Sequence, residues 1–356
     1  MEIKLKKELA AEKLRQAIRS GKFPVGSKLP RGTELAGELG VSHITLRAAF
    51  KELAAEGYIA SIHGRGTFVV GNGVPAASAK VLVLRDLSVG LRSTSTYILP
   101  GFERRCCELG ILTETVSAAF LRAGFRRDLH RVLTQNGFTA ILLAGGGFTE
   151  NDPLTGLLRT AKLPVLAAHG TPLDRKRTGF SVMRTDYRTA WDDGVKFLLS
   201  AGKKRIAMLV NSDFKIRYYS DEEFLRRFVE LGAASDPGLL AGASADRKCF
   251  ETAMTRLLAA RPDAVFCGSD FFAMLACEFL AERKIKVPDD VAVLGFGGYP
   301  GGGLCSPGLS TVDFQYDAIG VRAAELLLDP RPLADPGFDI FTPHRILIRN
   351  SAIKNQ

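Results

Sequence analysis

The sequence predicts an α/β protein in two parts. A small basic N-terminal domain holds three helices and a β-hairpin, and a larger domain alternates parallel strands with helices in two lobes. Three observations lead there. Residues 1–71 carry 12 Lys and Arg against seven Glu and no Asp, a net +5, which is half of the chain's +10 in a fifth of its length. Residues 71–79, GNGVPAASA, hold almost no bulky apolar group and read as a linker. Beyond them, short apolar β-branched runs alternate with helical stretches, the pattern of parallel sheets covered on both faces.

Length and composition narrow the classes. At roughly 100–200 residues per domain, 356 residues imply two or three domains. With 46% hydrophobic and 24% charged residues the chain is expected to fold around a large core. No apolar run approaches the roughly 18–20 residues of a membrane helix. The N-terminus, MEIKLKKELAAEKLRQAIRS, is charged throughout and lacks the apolar stretch of a secretory signal. Six cysteines (106, 107, 249, 267, 277 and 305) sit in no CxxC or Cys/His spacing, so free thiols in a reducing cytoplasm are expected, with no metal, cofactor or membrane partner.

The first domain opens with a helix. Ala10, Leu14, Ala17 and Ile18 recur on one face, and Gly21 follows as a stop. Pro24, Gly26 and Pro30 make an irregular connection to a short helix over 33–39, ended by Gly40. Ser42 is a favoured N-cap for a third helix running to about residue 55. That helix places Leu46, Ala49, Phe50 and Leu53 on one face and His43, Arg47 and Lys51 on the opposite one. Two helices joined through Gly40 and Val41 fit a helix-turn-helix, whose second helix enters the major groove by its N-terminal residues. Strands over 58–62 and 67–70 then flank His63, Gly64, Arg65 and Gly66, a hairpin turn that offers His63 and Arg65 to a duplex as a wing.

The ordered run Gly21-Lys22-Phe23-Pro24, Lys28-Leu29-Pro30, Glu34-Leu35-Ala36, Leu39-Gly40-Val41-Ser42, Thr45-Leu46-Arg47, Glu56-Gly57-Tyr58-Ile59 and Gly64-Arg65-Gly66-Thr67-Phe68-Val69 resembles the winged-helix domain of GntR-family bacterial regulators. The resemblance implies DNA contacts at Arg47 and Gly64; Arg31, Thr33, Ser42, His43, Thr45, Lys51, His63 and Arg65 complete the expected interface. Thr33 and His43 stand where the family usually or often has arginine, and Arg31 is near enough to replace the lost phosphate contact.

In the second domain, strands are expected over 80–84, 112–117, 139–143, 163–167, 205–210, 263–267 and 291–295. Helices are expected over 99–109, 126–135, 187–200, 221–231, 250–260, 272–282 and 316–328. Ligands of such sheets bind beyond the carboxyl ends of the strands. Those ends read Arg85-Asp86, Gly145 to Gly147, His169, Asp213, Gly268-Ser269-Asp270 and Phe296-Gly297, gathered in a cleft between the lobes.

The stretch Val287-Pro288-Asp289-Asp290-Val291-Ala292-Val293-Leu294-Gly295-Phe296, followed by Ser306-Pro307-Gly308-Leu309-Ser310-Thr311-Val312, resembles the effector domain of the LacI family, which shares the fold of periplasmic binding proteins. Thr185-Asp186-Tyr187, Gly202 to Ala207 and Ser269-Asp270 continue the likeness. It implies a two-lobed, periplasmic-binding-protein-like body that senses a small metabolite. The family often has two aspartates where this chain has Gly297-Gly298, and the arginine expected in the helix near 220 is missing, with Arg217 close by.

Asp270 is the first candidate effector contact, with a helix cap as its alternative role. Phe271 and Phe272 offer a flat apolar face or core packing. Asp186 is a contact or a helix cap, Arg217 a contact or a loop charge. Tyr97 sits in the first strand–helix loop. The reading that results is a cytoplasmic, ligand-responsive transcription regulator, a repressor by resemblance. It binds a pseudo-palindromic double-stranded operator as a homodimer, under control of a sugar-like effector. The alternative is an enzyme fused to a winged helix, and the sequence holds no phosphate loop, nucleophile elbow or metal cluster to support it.

Overall fold

The computed structural model of the chain describes residues 2–62, 66–71, 79–85, 93–118, 137–145, 152–212, 220–334 and 340–353. It divides into two compact units. One comprises Met1–Ala168, Arg177–Ser181 and Asp317–Phe338, the other His169–Lys176, Val182–Tyr316 and Asp339–Gln356.

The first unit begins with α1 (Glu2–Arg19), α2 (Gly32–Leu39), α3 (His43–Ala55) and an antiparallel hairpin, β1 (Ile59–Ile62) and β2 (Gly66–Val69). α1 starts eight residues earlier than its apolar stripe, because Lys, Glu and Leu over 3–9 are all strong helix formers. Ala10, Ala11, Leu14 and Ile18 of α1 pack against Leu35, Leu46, Ala49, Leu53, Tyr58, Ile59 and Val69 in one core. The α2–α3 turn works because Gly40 adopts φ +67, a left-handed cap that a side chain would strain.

The same unit then alternates β3 (Lys80–Arg85), α4 (Ser95–Leu109), β4 (Leu112–Ser117), β5 (Ala140–Leu143), α5 (Pro153–Thr160) and β6 (Val165–Gly170). β3 lies between β4 and β5, and β6 follows β5, all in parallel. α4 begins at Ser95 and runs through Pro100, so Tyr97, expected in a loop, stands in its first turn. The helix expected over 126–135 lies outside the described residues. Later in the chain, α11 (Tyr316–Leu328) crosses α4 backbone to backbone: a Cβ on Gly320 would lie 2.0 Å from the Ile98 carbonyl oxygen.

Between them come α6 (Pro172–Thr178), β7 (Ser181–Thr185), α7 (Tyr187–Ser200), β8 (Ile206–Asn211), α8 (Asp221–Leu231), β9 (Leu240–Ala243), α9 (Arg247–Ala259), β10 (Ala264–Cys267), α10 (Asp270–Glu282), β11 (Ala292–Gly297) and β12 (Ser310–Asp313). β13 (Ile340–Thr342) and β14 (Arg345–Leu347) close the chain. The second unit's sheet has the order β14-β12-β11-β10-β8-β9, parallel except that β14 runs against β12. β13 pairs in parallel with β7. Phe250, Met254, Leu257, Phe272, Phe279 and Leu280 from α9 and α10 cover one face of the sheet.

Five strands (β7, β9, β12, β13, β14) and two helices (α5, α6) were not expected from the sequence. β9 reads Leu-Ala-Gly-Ala and β12 Ser-Thr-Val-Asp, neither with a strand signature of its own. Among the described residues no helix is long and apolar enough to cross a membrane, and all six cysteines are free thiols.

Candidate functional site

The N-terminal domain sorts its charge by helix face. Arg15 of α1 grips the acidic side of α3: its Nε donates to Glu56 at 2.7 Å, and one Nη donates to Glu56 at 2.6 Å and to Glu52 at 2.8 Å. Lys7 pairs with Glu52 at 2.7 Å. These contacts hold the Glu52 carboxyl below its usual range, the hydrogen bond from Lys7 contributing most. The acidic groups of α3 are thereby neutralised on the inner side. His43, Arg47 and Lys51 lie exposed on the outer side, with no ion-pair partner among the described residues. A surface of fixed cations whose counter-charges are spent elsewhere suits a polyanion.

α3 is started by Ser42, whose Oγ accepts from the Thr45 amide at 3.2 Å and shares a 2.8 Å hydrogen bond with the Thr45 hydroxyl. Ser42 itself is exposed. Thr45 is only 7% exposed, so its hydroxyl serves the cap and does not face outward. The expectation of a DNA contact at Thr45 is corrected on that ground: the third residue of the helix turns inward beside Leu46. Arg31 and Thr33 are exposed at the start of α2. A Cβ on Gly32 would stand 3.1 Å from His43 Nε2, so the start of α2 lies against the start of α3. β1 and β2 bring the chain to the expected wing, but His63, Gly64 and Arg65 lie outside the described residues.

In the second unit the candidate effector residues separate. Ser269, not Asp270, caps α10, accepting from the Phe272 amide at 3.4 Å. Asp270 is fully buried. Its carboxylate accepts from the Tyr299 amide and, at 2.6 Å, from the Thr311 hydroxyl, tying α10 to β12 and to the segment after β11. Burial raises its pKa from 3.8 to about 6, against the lowering by those hydrogen bonds. A Cβ on Gly295 would lie 2.2 Å from Asp270 Oδ1, which is why β11 carries glycine there. Asp270 is thus a crosslink within the unit, and both carboxylate oxygens are engaged. Phe272 is also fully buried, stacked on Phe250 with centroids 6.1 Å apart, and belongs to the core. Phe271, half-buried, is the partly open member of the pair.

Asp186 is half-buried before the first residue of α7. It caps α7, accepting from the Thr189 amide at 3.0 Å and the Thr189 hydroxyl at 2.6 Å. Burial pushes its carboxyl up, and the Thr189 hydrogen bonds outweigh that and leave it below the usual range. Tyr97 is half-buried in α4, and Arg217 lies outside the described residues. Gly298, where an aspartate was expected from the resemblance, has φ +80, and a Cβ there would meet Asp313 Oδ1 at 2.1 Å. Asp313 at the end of β12 therefore supplies a carboxylate at this place, bonded to Arg345 Nε at 2.9 Å.

What sequence reasoning missed is an aromatic cluster at the strand ends. His169 (end of β6), Tyr187 (start of α7), Phe296 (end of β11), Phe314 (after β12) and Tyr316 are all buried, with neighbouring ring centroids 4.7–6.3 Å apart. Trp191 stacks on Phe296 at 4.5 Å. The Tyr187 hydroxyl and His169 Nε2 are hydrogen-bonded, and His169 Nδ1 and Trp191 Nε1 have no hydrogen-bond partner among the described residues. Burial lowers the His169 pKa to about 4, so the imidazole is neutral at physiological pH. The signal available in the sequence was positional: each residue follows or precedes a strand end, but they are up to 147 residues apart. No group of three or more His, Cys, Asp or Glu able to hold a metal occurs among the described residues.

A helix-turn-helix with an unpartnered cationic face, followed by a body of parallel sheets, defines a DNA-binding regulator. Comparison with known proteins gives two domain matches. Residues 6–69 match the bacterial regulatory proteins of the gntR family, and residues 195–351 match the periplasmic binding protein-like domain. The chain is 25% identical to the arabinose metabolism transcriptional repressor of Geobacillus stearothermophilus over 94% of each protein. It shares its fold with a LacI-family regulatory protein from Chloroflexus aggregans (TM-score 0.63, 19% identity, 76% of this chain and 98% of that one). It also shares it with the transcriptional regulator CelR in complex with cellobiose (TM-score 0.61, 20% identity, 91% and 100%). The protein is a DNA-binding transcription regulator whose residues 6–69 are similar to the gntR family and whose residues 195–351 are similar to the periplasmic binding protein-like domain.

Proposed function

We propose that the protein is a cytoplasmic, homodimeric transcriptional repressor without enzymatic activity, released from or held on a pseudo-palindromic operator by a small sugar-like metabolite. Residues 1–70 form its DNA-binding domain, 71–79 the linker and 80–356 the effector-binding and dimerisation domain. The observation that carries this reading is the outer face of α3, where His43, Arg47 and Lys51 stand unpartnered while Glu52 and Glu56 are neutralised by Lys7 and Arg15. Arg31, Thr33, Ser42 and the wing residues His63, Gly64 and Arg65 extend the interface. Phosphate contacts supply salt-dependent affinity and base contacts supply specificity.

The proposed effector contacts are Phe271 and Asp186, which lie at the starts of α10 and α7, together with Tyr97 and Arg217. Two similarities support a sugar: one to a repressor of arabinose metabolism along nearly the whole chain, one in fold to a regulator bound to cellobiose. The experiment is a thermal-shift screen of the full chain against pentoses, hexoses, disaccharides, polyols and nucleosides. A ligand at 100 times its Kd adds about 2.7 kcal/mol of stability. A stabilising sugar that also changes affinity for a selected duplex supports the reading. Stabilisation only by nucleosides replaces the effector class, and turnover of any added compound would replace the regulator with an enzyme.

A further inference from the structure

The outer face of α3 is not purely cationic. Ile44, the second residue of the helix, is 80% exposed, more than any other large hydrophobic side chain described in the N-terminal domain. Ala48, one turn further on, is exposed as well. At 3.6 residues per turn, Ile44 and Ala48 form an i, i+4 pair running beside the His43, Arg47 and Lys51 stripe. Neither helix stability nor packing accounts for isoleucine here. A β-branched residue is a weaker helix former than Ala, Lys or Glu, and at this exposure it contributes little to the core.

A side chain at the N-terminal end of the second helix of a helix-turn-helix is where base edges are read. Of the groups on the major-groove floor, the one apolar feature of the four standard base pairs is the C5-methyl of thymine. The flanking cations would hold the helix against phosphate, and Ile44 would then meet the groove floor with an aliphatic surface for which that methyl is the largest apolar partner.

We propose that Ile44, with Ala48 behind it, is a specificity-determining residue that reads the C5-methyl of a thymine in each operator half-site. This rests on the reading of α3 as the recognition helix. The weight of one buried methyl is roughly fourfold in Kd.

The test begins by selecting duplexes from a randomised library with the full chain. Thymines of the selected sequence are then replaced one at a time by deoxyuridine, which removes only the methyl. The expected result is one thymine per half-site whose replacement weakens binding about fourfold. That penalty disappears in Ile44→Ser and persists in Ile44→Val, while phosphate-driven affinity for unrelated duplexes is unchanged in both. Thermal melting shows that the variants are folded, as an 80% exposed position allows. An equal uridine penalty in wild type and Ile44→Ser overturns the assignment, as does the absence of any penalty. If instead a selected cytosine binds better once 5-methylated and no thymine is sensitive, the methyl read is that of 5-methylcytosine and the thymine proposal falls. A protein that selects no sequence overturns the recognition-helix reading itself, an outcome distinct from selection without methyl dependence.

Discussion

Two helices of this protein are built to one local plan and do opposite work. α3 and α10 are both 13 residues long, and both begin after a serine N-cap whose oxygen accepts from the third helical amide. The first residue after each cap is titratable, His43 in one and Asp270 in the other. α3 leaves His43, Ile44, Arg47 and Lys51 in solvent, whereas α10 buries Asp270, Phe272, Ala273, Ala276, Cys277, Phe279 and Leu280. A side chain in solvent keeps its hydrogen-bonding capacity for another molecule. A buried one must be satisfied internally, and Asp270 is, by Thr311 and Tyr299. The difference separates a helix that recognises from a helix that holds a domain together.

The contrast can be broken first at Phe272. Phe272→Ala removes a fully buried ring stacked on Phe250 and is expected to cost about 3–5 kcal/mol of stability, read by denaturant unfolding. A cost below about 1 kcal/mol would return Phe272 to the candidate effector contacts.

Next comes Asp270 and pH. Its pKa is higher in the fold, about 6, than the ordinary 3.8, so its contribution is fully present below about pH 4 and is lost as pH rises through 6. Relative to Asp270→Asn, which does not titrate, the wild type should lose on the order of 3 kcal/mol between pH 4 and 7. A difference that is flat with pH would mean that the carboxylate is better solvated than its burial implies.

Arg47→Ala is the matching change on α3. It should cost about 1–3 kcal/mol in operator binding while leaving the melting temperature and effector affinity in place. Unchanged operator affinity would remove α3 from the interface.

The smallest effect lies at the two serine caps. Ser42→Ala and Ser269→Ala delete equivalent caps, each worth about 1 kcal/mol. Ser42 is exposed, so water can replace its oxygen; Ser269 is buried, and its amide would be left unpaired. Ser269→Ala should therefore be the more costly of the two in chemical denaturation, and equal costs would mean that burial adds nothing to the Ser269 cap.

Much of this protein was legible in order along the chain. The α1 stripe, the Gly40 turn, the Ser42 cap and the cationic side of α3 follow from residues within one or two turns of each other. The strands β3, β5, β8, β10 and β11 announce themselves as apolar runs. β9 and β12 did not, since Leu-Ala-Gly-Ala and Ser-Thr-Val-Asp become strands only by pairing with β8 and β11.

The candidate site divided along the same line. By itself the sequence determined local geometry: which residues cap, which share a helix face, and where a chain must turn through glycine. Tertiary structure alone decided which of those residues remain available. Thr45 and Arg47, two positions apart and so about 200° around one helix, lie on opposite faces, and packing is what buries the Thr45 side. Asp270 looked like a ligand contact until Thr311, 41 residues later, supplied its hydrogen bond. The aromatic cluster around His169 draws on residues from 169 to 316. Periodicity specifies the faces of a helix; what meets each face is set by burial of distant groups, a long-range energy that no local window of sequence contains.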